Sequence, residues 1–145
     1  MVAWRSDPEV VGILLHAGAD TNARNFEGQT PLMAFASQIT GICLNYFHVD
    51  GEGDNPRLEA FKLLMTAGCD VKAKDFRGRT ALHALVMKPR WGHMEQDHVE
   101  AAELLMQAGI EVEAMDADRK MASQLFIHRD NLPLAQLLLG ERFWP

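Results

Sequence analysis

Apolar residues along this chain gather in short clusters stepped by three and four, and polar, glycine-bearing turns separate the clusters. Three apolar triplets, Ile13-Leu14-Leu15, Leu63-Leu64-Met65 and Leu104-Leu105-Met106, each end two residues before a small tetrad. The tetrads are Ala17-Gly18-Ala19-Asp20, Ala67-Gly68-Cys69-Asp70 and Ala108-Gly109-Ile110-Glu111. The recurrence of Leu58, Phe61, Leu64 and Met65 has the helical period, and the following glycine supplies the left-handed residue that closes a helix. The starts are marked as well, because Asp7-Pro8-Glu9 and Asn55-Pro56 each place a capping side chain before a proline at the first helical position. Asp97 ahead of His98-Val99 and Asn131 ahead of Leu132-Pro133 are weaker starts of the same kind. Every apolar segment has helical spacing, so the chain is expected to be all-α, without an independent sheet.

A second block repeats downstream of the first two tetrads. Gly28 and Gly78 each follow the tetrad glycine by 10 residues, and Thr30-Pro31-Leu32-Met33 or Thr80-Ala81-Leu82-His83 comes two residues later. Arg24-Asn25-Phe26-Glu27-Gly28 and Lys74-Asp75-Phe76-Arg77-Gly78 read as tight turns with glycine where positive φ is easiest. This composite pattern resembles the ankyrin-repeat family, whose repeats carry a Thr-Pro-Leu-His-x-Ala block at a period of 33. The resemblance covers Asp7 to Leu139 and implies a solenoid of stacked helix pairs joined by short finger turns. It divides the chain into a half repeat (1–25), a repeat with a long insertion (26–75), a repeat with a shorter insertion (76–116) and a C-terminal capping repeat (117–145). His83 stands at the family's signature histidine position, where the ring bonds neighbouring turns.

The spacing departs from the family period, since Gly18 to Gly68 is 50 residues and Gly68 to Gly109 is 41. The excess lies after each Thr-x-Leu block and before the next apolar triplet, so each insertion falls between the two helices of a repeat. Leu32, Phe35, Ala36, Ile39, Cys43, Tyr46 and Phe47 keep helical steps, which predicts that the first helix runs on into the insertion until Asp50-Gly51-Glu52-Gly53-Asp54. In the second insertion Lys88-Pro89 ends a helix, Trp91-Gly92 makes a loop, and Met94, His98, Ala101 and Leu105 predict a helix that starts early. Stacking sets equivalent positions side by side, so the two insertions are expected to meet as one lobe. Phe35, Leu85-Val86 and Phe126-Ile127 occupy first-helix positions where the family uses small residues. They require either splayed helices or extra burial.

Composition narrows the function classes. The 145 residues suit one domain, and 14 basic against 20 acidic residues give a net charge of -6, which lacks the positive field of a nucleic-acid binder. No apolar run has the roughly 18 residues needed to span a bilayer, and the first eight residues lack a signal-peptide core. Cys43 and Cys69, the only cysteines, make neither a disulfide framework nor a zinc set. The expected setting is intracellular, in the cytoplasm, with no membrane or nucleic-acid partner and no cofactor.

No recognised catalytic motif occurs, and no metal site is expected. Residues 50–55 imitate the opening of a calcium loop, but Asn55 replaces its glycine and Phe61 its closing glutamate. What the family resemblance implies is a non-catalytic module that presents its fingers and first helices to a protein partner. Phe26 and Phe76 are the anchors expected there, since a fingertip aromatic has no core to enter, with Arg77 and Arg79 as neighbouring donors suited to an acidic partner. The alternative is a small-molecule or catalytic pocket under the insertion lobe. It would be lined by Tyr46, Phe47, His48, Asp50, Trp91, His93, Asp97 and His98, with histidine and carboxylate groups for proton transfer.

Overall fold

The computed structural model describes residues 8–39, 56–87 and 95–126. Six helices lie in these segments: α1 (Pro8–His16), α2 (Pro31–Gln38), α3 (Pro56–Thr66), α4 (Ala81–Met87), α5 (Glu95–Gln107) and α6 (Ala122–Phe126). They stack in two rows, with α2, α4 and α6 side by side in an inner row and α1, α3 and α5 in an outer one. Among the described residues there is no strand, and the one β-bridge joins Met115 to Met121 at the base of a finger.

Local chemistry sets the helix ends. Proline opens α1, α2 and α3, where its missing N–H is no loss. Gly18, at φ 81°, closes α1: its N–H reaches the Leu15 carbonyl at 3.1 Å, and the Ala19 N–H reaches back to Leu14 at 3.0 Å. That pair of bonds satisfies two terminal carbonyls of the helix, and Gly109 with Ile110 repeats it at the end of α5. α5 begins at Glu95, so Asp97 lies within its first turn instead of capping it, in keeping with the early start predicted from Met94 and His98.

The core runs between the rows. Leu32, Phe61, Leu82, Leu85 and Leu105 are fully enclosed, and Ile39 at the end of α2 is equally dry. Phe35, Leu85 and Val86 are all buried, so these large inner-row side chains pack into the common core. The side chains of Phe126 and Ile127 lie outside the described residues, as do the continuation of the first helix past Ile39 and the Trp91 loop.

Candidate functional site: the finger row and inner-helix cleft

Each finger is a five-residue turn folded around one side-chain oxygen. Asn25 Oδ1 accepts the backbone N–H groups of Glu27 and Gln29 at 3.0 and 2.9 Å. Asp75 Oδ1 accepts those of Arg77 and Arg79, both at 2.9 Å. Asp116 Oδ1 does the same for Asp118 and Lys120, again at 2.9 Å, which reveals a third finger that the sequence motifs do not single out. Ala117 takes the place of the tip phenylalanine there, and Arg119 stands at φ 58° where Gly28 and Gly78 stand in the others. A left-handed arginine costs about 1 kcal/mol relative to a relaxed backbone, and a search keyed on glycine passes over this turn because arginine stands in its place.

Bonds between fingers hold the row in register. The Phe76 N–H donates to the Glu27 carbonyl at 3.1 Å and the Ala117 N–H to the Arg77 carbonyl at 2.8 Å. Arg24 Nη1 donates to the Lys74 carbonyl at 2.7 Å, and Asn22 Oδ1 accepts the Asp70 N–H at 2.8 Å. Spread across four such bonds, the fingers form one platform.

On that platform Phe26 is fully exposed, so the two aromatics do not stack on each other. Phe76 is 73% exposed, and its ring lies across Gly28 of the preceding finger, where a Cβ would come within 2.7 Å of the ring. Arg77 is exposed beside it. Arg79 differs from the free donor that the sequence led us to expect. Its Nε and Nη2 both bond Asp75 Oδ2 at 2.8 Å, and Nη1 points to the Met87 sulfur at 3.3 Å. Arg79 is therefore a fixed wall of the site.

Below the fingers, a cleft of about 280 Å³ lies between α2 and α4. Met33, Ala84 and Met87 give it an apolar floor, and Glu27, Gln29 and Ser37 give it a polar edge completed by the Asp75–Arg79 pair. Sequence reasoning missed these positions because the two sides of the cleft lie about fifty residues apart. The available signal was register, since Met33 and Ser37, four apart, lie on one face of a helix.

The signature histidine works as a structural clasp. His83 is buried, and its Nε2 lies 3.0 Å from the Lys120 carbonyl. A carbonyl only accepts, so Nε2 carries the proton and Nδ1 accepts the Thr80 backbone N–H at 3.2 Å, with the Thr80 hydroxyl at 3.0 Å. In the first repeat Met33 replaces this histidine, and the buried Thr30 hydroxyl has no hydrogen-bond partner. Met33→His should supply the missing acceptor and reach the Arg79 carbonyl of the next finger. We expect a gain of about 1 kcal/mol in urea unfolding; a loss of stability would show that the methionine's packing outweighs the bond.

The insertion lobe fares differently. Tyr46, Phe47, His48, Asp50, Trp91 and His93 lie outside the described residues. Asp97 is half-buried in the first turn of α5, and His98 is enclosed within the same helix. Cys69 is buried too; desolvation pushes its thiol up, a backbone hydrogen bond partly offsets this and the charge of Asp70 adds to it. Such a thiol is a poor nucleophile. Among the described residues no three His, Cys, Asp or Glu side chains converge on a metal position, and no helix is long and apolar enough to cross a membrane.

Comparison with known proteins agrees with this architecture. Residues 1–116 match the family model for ankyrin repeats, in three copies. No curated protein is matched by the chain.

Proposed function

Because the chain belongs to the ankyrin-repeat family, whose repeats generally serve as protein-interaction modules, we propose that it is a non-catalytic scaffold module that binds a protein partner along its finger row and inner-helix cleft. The observation that carries this reading is Phe26. A fully exposed phenylalanine at the tip of a hydrogen-bonded turn gains nothing from the fold, and leaving its ring in water forgoes about 1.5–3 kcal/mol of burial. Its neighbour Phe76 and the exposed Arg77 extend the patch along the platform, and Arg79 shapes the adjoining cleft. Aromatic and arginine side chains dominate the energetics of interfaces, and here they sit on hydrogen-bonded turns, which lowers the ordering cost of binding.

The test uses a partner recovered by cross-linking to the full chain and then purified. Phe26→Ala and Arg77→Ala should each weaken calorimetric affinity by more than about 1 kcal/mol while the circular dichroism spectrum stays helical. If neither variant changes the affinity, the interface lies on another face.

A further inference from the structure

The cleft beneath the first two fingers carries a charge balance that specifies what enters it. Three charged side chains line it: Glu27, Asp75 and Arg79. Asp75 and Arg79 neutralise each other through two 2.8 Å bonds to one carboxylate oxygen. Glu27 is exposed at the edge, and its bonds in the finger row are made by its backbone, the N–H to Asn25 Oδ1 and the carbonyl from the Phe76 N–H. The cleft therefore presents one uncompensated negative charge beside an apolar floor of Met33, Ala84 and Met87, on a chain whose net charge is -6. Its volume, about 280 Å³, falls just below the range of roughly 300–1,000 Å³ typical of pockets for drug-sized ligands, and it suits a single side chain.

We propose that this cleft receives a long basic side chain of the protein partner, its alkyl stem lying on Met33, Ala84 and Met87 and its cationic head meeting Glu27. The inference rests on the protein-binding reading and adds the chemistry of the residue recognised. Lysine and arginine have the shape required, since both bury an apolar stem while keeping the charged end at a wet rim. Methionine floors adapt to such stems because the thioether chain is unbranched and polarizable. Arg79 does not repel the incoming cation strongly, because its own charge is held by Asp75. The Ser37 hydroxyl donates to the Ala34 carbonyl at 2.8 Å, which leaves its lone pairs as acceptors on the cleft lining.

The experiment uses the full chain with its methionine methyl groups labelled with carbon-13, and three probes of similar length: n-butylguanidinium, n-pentanol and n-pentanoate. The Met33 and Met87 signals are assigned through Met33→Leu and Met87→Leu. The guanidinium should shift both signals along a saturating curve at lower concentration than the alcohol or the acid. Glu27→Gln should weaken the cation's apparent affinity about threefold, the scale of an exposed ion pair, and added salt should weaken it in the unaltered chain. The proposal is overturned if the alcohol or the acid binds as well as the cation, or if Glu27→Gln leaves the cation's curve unchanged. Should the probes fail to discriminate while the Phe26 and Arg77 variants still weaken a protein partner, the basic side chain is overturned and the protein-binding reading stands.

Discussion

Asp75→Ala is expected to lower the unfolding free energy by about 4 kcal/mol, and Asp75→Asn by about 3 kcal/mol. The two variants separate the two oxygens of one carboxylate. Oδ1 closes the finger by accepting the N–H groups of Arg77 and Arg79, and Oδ2 holds the Arg79 guanidinium. The Asp75 side chain is 3% exposed and that of Arg79 16%, so the pair is nearly but not wholly dry. Breaking a dry pair by removing one partner costs about 3–5 kcal/mol, which both variants do; the residual access of water to Arg79 puts asparagine at the low end, and the lost turn acceptor adds about 1 kcal/mol for alanine. Asparagine keeps the Oδ1 acceptor, and the first finger shows the result: Asn25 makes the same two backbone bonds, and its Nδ2 donates to Gln29 Oε1 at 3.2 Å. The double variant Asp75→Asn with Arg79→Gln copies that neutral finger and should recover most of the loss caused by Asp75→Asn alone. Urea unfolding of the three variants decides the matter. Equal losses for alanine and asparagine would mean that the turn oxygen adds nothing and the ion pair carries the whole effect.

The contrast between fingers explains which features were legible in the sequence. Pro8 and Pro56 mark helix starts, and Gly18, Gly68 and Gly109 mark helix ends, through the backbone of the residues themselves. No distant partner is needed to read them. The first two fingers were readable for the same reason. The third was hidden because Ala117, Arg119 and Met121 replace the aromatic, the glycine and the threonine of the pattern, leaving Asp116 as the only shared chemistry. The site was less legible than the fold. Phe26 and Arg77 could be placed from turn register alone, but the seat of Phe76 on Gly28 joins residues 48 apart, and the cleft exists only once α2 and α4 lie side by side. The pairing of Arg79 was within reach of the sequence, since Asp75 stands four residues before it, a spacing at which a closed turn brings carboxylate and guanidinium together.

His83→Ala is expected to be comparably costly, at about 3 kcal/mol, and His83→Gln much less so, at about 1 kcal/mol. Alanine removes an enclosed ring and strands three polar groups at once: the Thr80 N–H, the Thr80 hydroxyl and one lone pair of the Lys120 carbonyl. Each buried group left unsatisfied costs about 1–3 kcal/mol, although the Lys120 carbonyl still accepts the Asp116 N–H at 3.0 Å and so loses less. Glutamine answers the first of these losses, as the third repeat shows. There Gln124 stands at the histidine's position, and its Oε1 accepts the Met121 N–H at 3.0 Å, the counterpart of the bond from Thr80 to His83. What glutamine gives up is the span to the next finger. That bond from Nε2 to Lys120 links the second repeat's inner helix to the third finger, so its loss should appear as local opening before it appears in global stability. Hydrogen exchange measures this directly. In His83→Gln the amides of Asp118, Arg119 and Lys120 should exchange faster while those of Glu27 and Gln29 keep their protection. Uniform acceleration across all three fingers would instead mean that the clasp stabilises the whole stack as one cooperative unit.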